Sequence, residues 1–370
     1  MKSLHIISFD VPYPANYGGV IDVFYKLKAL HKLGVKITLH CFEYGRAPSK
    51  ELDKYCETVH YYKRSTSFIH QLSTKPFIVK SRTSKKLIQN LLLDELPILF
   101  EGLHTCGIIS DVRLKNRLKI YRESNIEHHY YKHLAKSEQS LFKKIYFLIE
   151  AIKLKTFEKT LKHADFMLVV SKADTTYLKN KFPTKEITYL PSFHPYTNME
   201  CLIGKGNYVL YHGNLSVSEN YLAAEFLISN VFSKANFLFK IAGLQPNEKL
   251  KQLVKQHKNI ELIANPTDEQ LQVLIKNAHI NCLYTHQETG LKLKLLNALF
   301  AGRFCLVNNK MLYGTNLSKS CVIADNSEDM KEKIANLFNH SFTQEEMEQR
   351  EKNLAEFSVS KNAKFIFELI

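Results

Sequence analysis

Short apolar runs alternate with longer amphipathic stretches along this chain, and the alternation breaks once, between Pro191 and Gly206, before it starts again. Residues 4–9 form an apolar run of strand length. Residues 20–33 carry Phe24, Leu27 and Leu30 at the spacing of one helix face, and residues 35–42 are strand-like again. A strand, a helix and a second strand in that order predict a right-handed βαβ unit. Further strands are expected over 97–100, 118–121, 166–170 and 187–190, with helices over 139–163 and 172–182. Two prolines and no periodicity over 191–206 mark an interdomain linker. Beyond it, strands are expected at 208–212, 237–242, 260–263, 280–284 and 304–308. Helices are expected at 221–231, 248–257, 268–276, 328–339 and 344–356, and an apolar segment at 359–370. Two consecutive βα arrays predict an α/β protein with two parallel-sheet domains and a cleft between them, divided as 1–195, 196–356 and a closing segment 357–370.

Length and composition agree with two globular domains: 370 residues, 45% hydrophobic and 24% charged. The seven cysteines are scattered, without a CxxC pair or a Cys/His cluster of zinc spacing, so reduced thiols in a cytosol are expected and a metal site is not. The apolar run 4–9 is stopped by Asp10, Pro12 and Pro14, too short for a secretory signal, and no run approaches the ~18 apolar residues of a spanning helix. A cytoplasmic protein, soluble or peripheral, is expected. Its net charge of +15 is uneven: residues 1–195 hold 32 basic against 18 acidic side chains, and residues 196–370 hold 19 against 18. The first part should therefore meet something anionic: a membrane surface, a phosphorylated acceptor or a nucleic acid. No nucleic-acid reading module is recognisable, which disfavours the last. Residues 61–87 interleave Lys63, Arg64, Lys75 and Arg82 with Phe68, Ile69 and Leu72. That composition suits a segment lying on an anionic bilayer, and equally a solvated helix on a domain face.

In open parallel sheets, ligands gather at the carboxyl ends of the strands. Gly18-Gly19 follows the first strand, where a backbone can approach a ligand closely, but it is not the GxGxxG of a dinucleotide site. Glu101 and His104 follow the strand at 97–100, and Asn125, Glu127 and His128 follow the one at 118–121. After the strand at 280–284 come Glu288-Thr289-Gly290-Leu291-Lys292-Leu293-Lys294 and an apolar helix ending at Gly302. Lysines suit the last turn of a helix and oppose the dipole at its first turn, unless an anion sits between. The stretch is read as a phosphate site, or as an ordinary βα unit with two solvated lysines.

Four pieces together carry a resemblance: Gly18-Gly19, Asn125-Ile126-Glu127-His128, Ala164-Asp165 with Val169-Val170-Ser171, and the run Gly290 to Ala298. They resemble the GT-B-fold retaining glycosyltransferases, and are similar to glycosyltransferase family 4 (glycosyl transferases group 1). The resemblance implies two Rossmann-like domains facing a central cleft, with the end of the chain packing back on the first. It implies transfer, with retention, of a hexose or N-acetylhexosamine from a nucleotide diphosphate sugar to a saccharide acceptor, lipid-linked at the inner membrane face, in surface polysaccharide synthesis. No cofactor and no divalent metal are implied. His128, Glu288 and Glu101 would be catalytic. The donor would be held by Gly18, Gly19, Gly213, Asn214, Thr289, Gly290, Leu291, Lys292, Lys294 and Asn297, and His104, Asn125 and Arg82 would face the acceptor. The sequence departs from the family pattern twice. Asn297 stands where a glutamate commonly holds the ribose, and the loop from Gly213 to Asn220 lacks the usual Arg and Lys. A sugar-nucleotide epimerase of the same fold and a non-catalytic partner subunit are the alternatives.

Overall fold

The computed structural model describes residues 2–138, 140–287 and 292–370. Among them, thirteen strands form two sheets in which every pairing is parallel. The first comprises β1 (Ser3–Ser8), β2 (Lys36–Glu43), β3 (Thr58–Lys63), β4 (Ile98–Glu101), β5 (Lys119–Glu123), β6 (Phe166–Val169) and β7 (Glu186–Tyr189), in the order β3-β2-β1-β4-β5-β6-β7. The second comprises β8 (Tyr208–His212), β9 (Leu238–Gly243), β10 (Ile260–Ala264), β11 (Ile280–Leu283), β12 (Phe304–Val307) and β13 (Val322–Ile323), in the order β10-β9-β8-β11-β12-β13. The chain divides into two compact units, residues 1–195 with 359–370, and residues 196–358.

Burial on both faces explains why these strands read as continuous apolar runs. In β1, Leu4 and Ile6 lie on one face with Val23 and Leu27 of the helix Gly18–Lys32, while Ile7 lies on the other with Leu87 and Leu154. Alternation of side chains along a strand feeds both layers at once. The helix Val359–Leu369 joins the first layer through Ala363 and Ile366, and Lys2 Nζ donates to the Phe367 carbonyl at 2.7 Å. In the second unit, Val209, Tyr211, Ile241, Ile280, Cys282 and Leu306 form the corresponding core.

Several elements differ from expectation. β3, which only overlaps the start of the basic stretch, was not expected, because an edge strand needs little apolar sequence. The helix expected over 139–163 is a helix Leu141–Phe157 followed by a 3₁₀ stretch Glu158–His163. Ahead of it stands a helix Glu127–Ser137, where a polar turn was expected. Its histidines and tyrosines are weak helix formers, so packing against the helix Leu141–Phe157 decides its conformation. Among the described residues no helix is long and apolar enough to cross a membrane.

Candidate functional site

In the second sheet the strand order reverses between β8 and β11, and crevices outside such a reversal bind ligands in open α/β folds. β8 ends at His212 and runs into the loop Gly213 to Val217 and the helix Ser218–Phe226. That loop is tied to itself. The Asn214 side-chain oxygen accepts from the Ser216 amide (3.1 Å) and hydroxyl (2.7 Å), and its carbonyl accepts from the Asn220 amide nitrogen at 3.0 Å. A Cβ on Gly243 would lie 2.0 Å from the Gly213 carbonyl, so only glycine at 243 lets the ends of β8 and β9 approach this closely.

The helix Leu293–Ala301 begins beside this loop, with Lys292 at its N-cap position and no side-chain cap bond there. Lys292 Nζ donates to the Gln287 carbonyl at 3.1 Å. Lys294 Nζ donates to the Asn220 side-chain oxygen at 2.9 Å and stands 5.1 Å from the centre of the Tyr211 ring. Burial lowers the Lys294 ammonium to about 8; Glu219 opposes the shift and Lys292 adds to it. The Glu219 carboxylate accepts from the Thr285 hydroxyl. His212 is buried with Nε2 unpartnered, and desolvation, with Lys294 beside it, lowers it to about 3 and keeps it neutral. Asn297 is half-buried, three residues on from Lys294 and so on the same side of the helix. The result is a half-buried cation with a neutral partner near a helix start, where free backbone amides and the dipole favour an anion. Glu288, Thr289, Gly290 and Leu291 lie outside the described residues.

In the first sheet the order reverses between β1 and β4. The Asp10 carboxylate accepts from the Val11 amide and the Tyr17 hydroxyl, both at 2.8 Å. Arg82 is buried, donating to the carbonyls of Phe9 (2.7 Å) and Ile78 (2.8 Å). The His104 ring lies 5.2 Å from that of Phe9, and its Nδ1, 3.8 Å from a Glu127 oxygen, has no hydrogen-bond partner. Burial, reinforced by Arg82 and Arg64, holds His104 well below the usual histidine range. Burial pushes Glu127 up to about 8 against the pull of Arg82. Arg82, His104 and Glu127 thus share one polar cluster, with Asn125 half-buried at the turn before it.

Three of the expected site residues are engaged by the fold itself. Glu101 is buried and bonded at 2.7 Å to the buried Lys26, which also reaches Asp22 at 2.9 Å. Asp22 in turn accepts from Arg122 at 3.0 Å and from the Phe193 amide at 2.6 Å. A carboxylate at a strand end is as readily satisfied from the next helix as by a ligand, and here Lys26 satisfies it. His128 is buried with Nδ1 3.6 Å from Glu158, whose other oxygen accepts from Lys181 and, at 2.9 Å, from the Tyr177 hydroxyl. A Cβ on Gly19 would meet the Phe9 ring at 2.6 Å, so this glycine makes room for a side chain; Gly18 is exposed as the helix begins. Sequence reading missed Lys26, Asp22, Arg122, His212 and Gly243, since nothing local distinguishes them. Of these, His212 and Gly243, the last residues of β8 and β9, were within reach of a strand-end rule.

No family model matches the chain. A Klebsiella pneumoniae protein described as an uncharacterized 44.6 kDa protein in the cps region is 29% identical over 349 residues, covering 88% of each chain. The S. aureus TarM G117R mutant, in complex with fondaparinux, alpha-GlcNAc-glycerol and UDP, matches 100% of this chain and 99% of its own with a TM-score of 0.66 at 12% identity. An alpha,alpha-trehalose-phosphate synthase (UDP-forming) from Burkholderia xenovorans, in complex with glucose-6-phosphate, matches all of both chains with a TM-score of 0.62 at 10% identity. With its two parallel sheets flanked by helices, the chain has the GT-B fold of two Rossmann-like domains found in these glycosyltransferases.

Proposed function

We propose that this chain is a retaining glycosyltransferase of the family 4 type. It would move a hexose or N-acetylhexosamine from a nucleotide diphosphate sugar to a lipid-linked saccharide during surface polysaccharide synthesis, at the cytoplasmic face of the membrane. One observation carries the reading: Lys294 Nζ sits 2.9 Å from Asn220, in the first turn of the helix that follows the loop lacking its own cation. The leaving group in glycosyl transfer is a nucleoside diphosphate, so stabilising its charge is a main catalytic task. Lys294 and Lys292 take that role from the helix side, the Asn214 amide approaches the same anion, and Asn297 receives a ribose hydroxyl as a neutral partner; the Gly213 amide already donates to the Ala242 carbonyl at 3.1 Å. Because the lysines neutralise the diphosphate, no cofactor or divalent metal is required. Glu288, Thr289 and Gly290 face the sugar hydroxyls on this reading, and Arg82, His104 and Asn125 the acceptor. Within the first unit, Glu101 is held by Lys26 and His128 lies beside Glu158. The TarM complex with UDP and alpha-GlcNAc-glycerol and the cps location of the Klebsiella relative support the substrate class and the process.

Thermal stabilisation by a panel of nucleotide sugars and free diphosphates, with and without EDTA, tests the reading. Stabilisation by at least one, unaffected by EDTA, is expected, and NMR of the product should show the donor's anomeric configuration kept. An isomerised nucleotide sugar without acceptor would instead make the protein an epimerase, and silence across the panel a non-catalytic subunit.

A further inference from the structure

The helix Leu141–Phe157 buries only a narrow strip, Glu150, Ala151 and Leu154. Its outward face is apolar: Leu141, Ile145, Leu148, Ile149 and Ile152 recur at helical spacing and all are exposed. Phe142, at the edge of that face, is 87% exposed. A second apolar surface stands beside it, where Phe68, Ile69 and Leu72 are exposed at 70%, 73% and 78%. Two contacts hold the surfaces together. Lys153 Nζ donates to the Gln71 carbonyl at 2.8 Å, and the Glu150 carboxylate accepts from the Phe77 amide at 2.6 Å.

Charge indicates what covers this face. Lys143, Lys144 and Lys155 are exposed along the helix, and Glu150, the acid within it, is buried and taken up by Lys153 and Phe77. An apolar patch of this extent on a soluble surface marks an interaction site. With cations and no exposed acid on the helix that carries it, the matching occupant is an anionic lipid surface. We propose that the helix Leu141–Phe157 and the segment Phe68–Leu72 dock the protein on an anionic bilayer, the apolar side chains entering the headgroup boundary and the lysines meeting lipid phosphates. The inference deepens the membrane part of the proposed function and rests on that reading only for the identity of the acceptor.

The chain contains no tryptophan, so Phe142→Trp places a single reporter on the face. Its emission should shift to the blue, and the full-length protein should float, with vesicles of phosphatidylcholine and phosphatidylglycerol but not with phosphatidylcholine alone. Ile145→Asp/Ile149→Asp and, separately, Lys143→Glu/Lys144→Glu/Lys155→Glu should each lower the bound fraction about tenfold or more. Stabilisation by UDP should be unchanged in both, which separates this inference from the donor reading: loss of the UDP response with vesicle binding intact would overturn only the latter. Binding by the variants equal to wild type, or independent of anionic lipid, overturns the docking proposal. So does a dimer in sedimentation that Ile145→Asp/Ile149→Asp dissociates, since the face would then serve a second copy of the chain.

Discussion

Lys26 in the first unit and Lys294 in the second are both lysines drawn into the protein near a strand-order reversal, and their surroundings differ in kind. Lys26 has no exposed surface and reaches two carboxylates, Asp22 and Glu101, at 2.9 and 2.7 Å. With Arg122 the set holds two positive and two negative groups, and Asp22 is held below the usual carboxylate range because Arg122 and Lys26 outweigh its burial. Lys294 is half-buried and meets a neutral amide, an aromatic ring and a neutral histidine, and the Glu219 carboxylate, which accepts from Thr285, offsets its charge only in part and forms no ion pair with it among the described residues. A closed set of charges is architecture. A buried charge left open costs stability and is retained where a ligand closes it.

The largest effect should come from breaking the closed set. Asp22→Ala leaves Lys26 and Arg122 short of a partner and should cost about 3–5 kcal/mol in urea unfolding. A loss under about 1 kcal/mol would show that the two lysines are alike after all. The mirror experiment is Lys294→Met, which removes an open charge and keeps the apolar stem. Unfolding free energy without ligand should hold or rise by about 1 kcal/mol, while UDP affinity by calorimetry falls about 10–100-fold. Destabilisation on the scale of Asp22→Ala would place Lys294 among the structural charges.

This contrast also marks how far the sequence could be read. The two βα arrays, the break near residue 195 and the helix starting after Lys292 follow from periodicity, because a strand buried on both faces and a helix with one apolar stripe write themselves locally. Glu101 and His128 also sit at strand ends, yet each is claimed by a group 75 or 30 positions away, Lys26 or Glu158, that no local pattern connects to it. Lys294 was legible because its oddity is local: a cation in a first turn. Its partner Asn220 was not, since that contact spans 74 positions and exists only once β8 and β11 lie side by side.

Titration sharpens the same difference. The folded Lys294 at about 8 lies below the ~10.4 of an unfolded lysine, so the unfolded chain binds more protons across that window. Stability without ligand should therefore rise with pH from about 8 to 10 through this group. UDP affinity should move the other way, falling about tenfold between pH 7 and pH 9 as the ammonium is lost, and Lys294→Met should flatten the profile. A profile identical in wild type and variant would assign the phosphate contact to Lys292 instead.

The first unit contains a weaker case of an open charge, and the smallest effect is expected there. Glu127, at about 8 against ~4.3 when unfolded, keeps its proton in the folded state between those values, so its contribution to stability declines as pH rises from about 4.5 to 8. Glu127→Gln mimics the protonated acid in size and hydrogen-bonding capacity. It should match wild type at pH 5 and exceed it by at least about 1 kcal/mol at pH 8, where the wild type must either hold the proton or bury a carboxylate. Arg82 is the group that could close this charge, since it alone among the main influences draws Glu127 downward. A difference that does not vary with pH would mean that Arg82 already closes it. Arg82, His104 and Glu127 would then belong with Lys26 as architecture, leaving Lys294 as the open charge on which ligand binding turns.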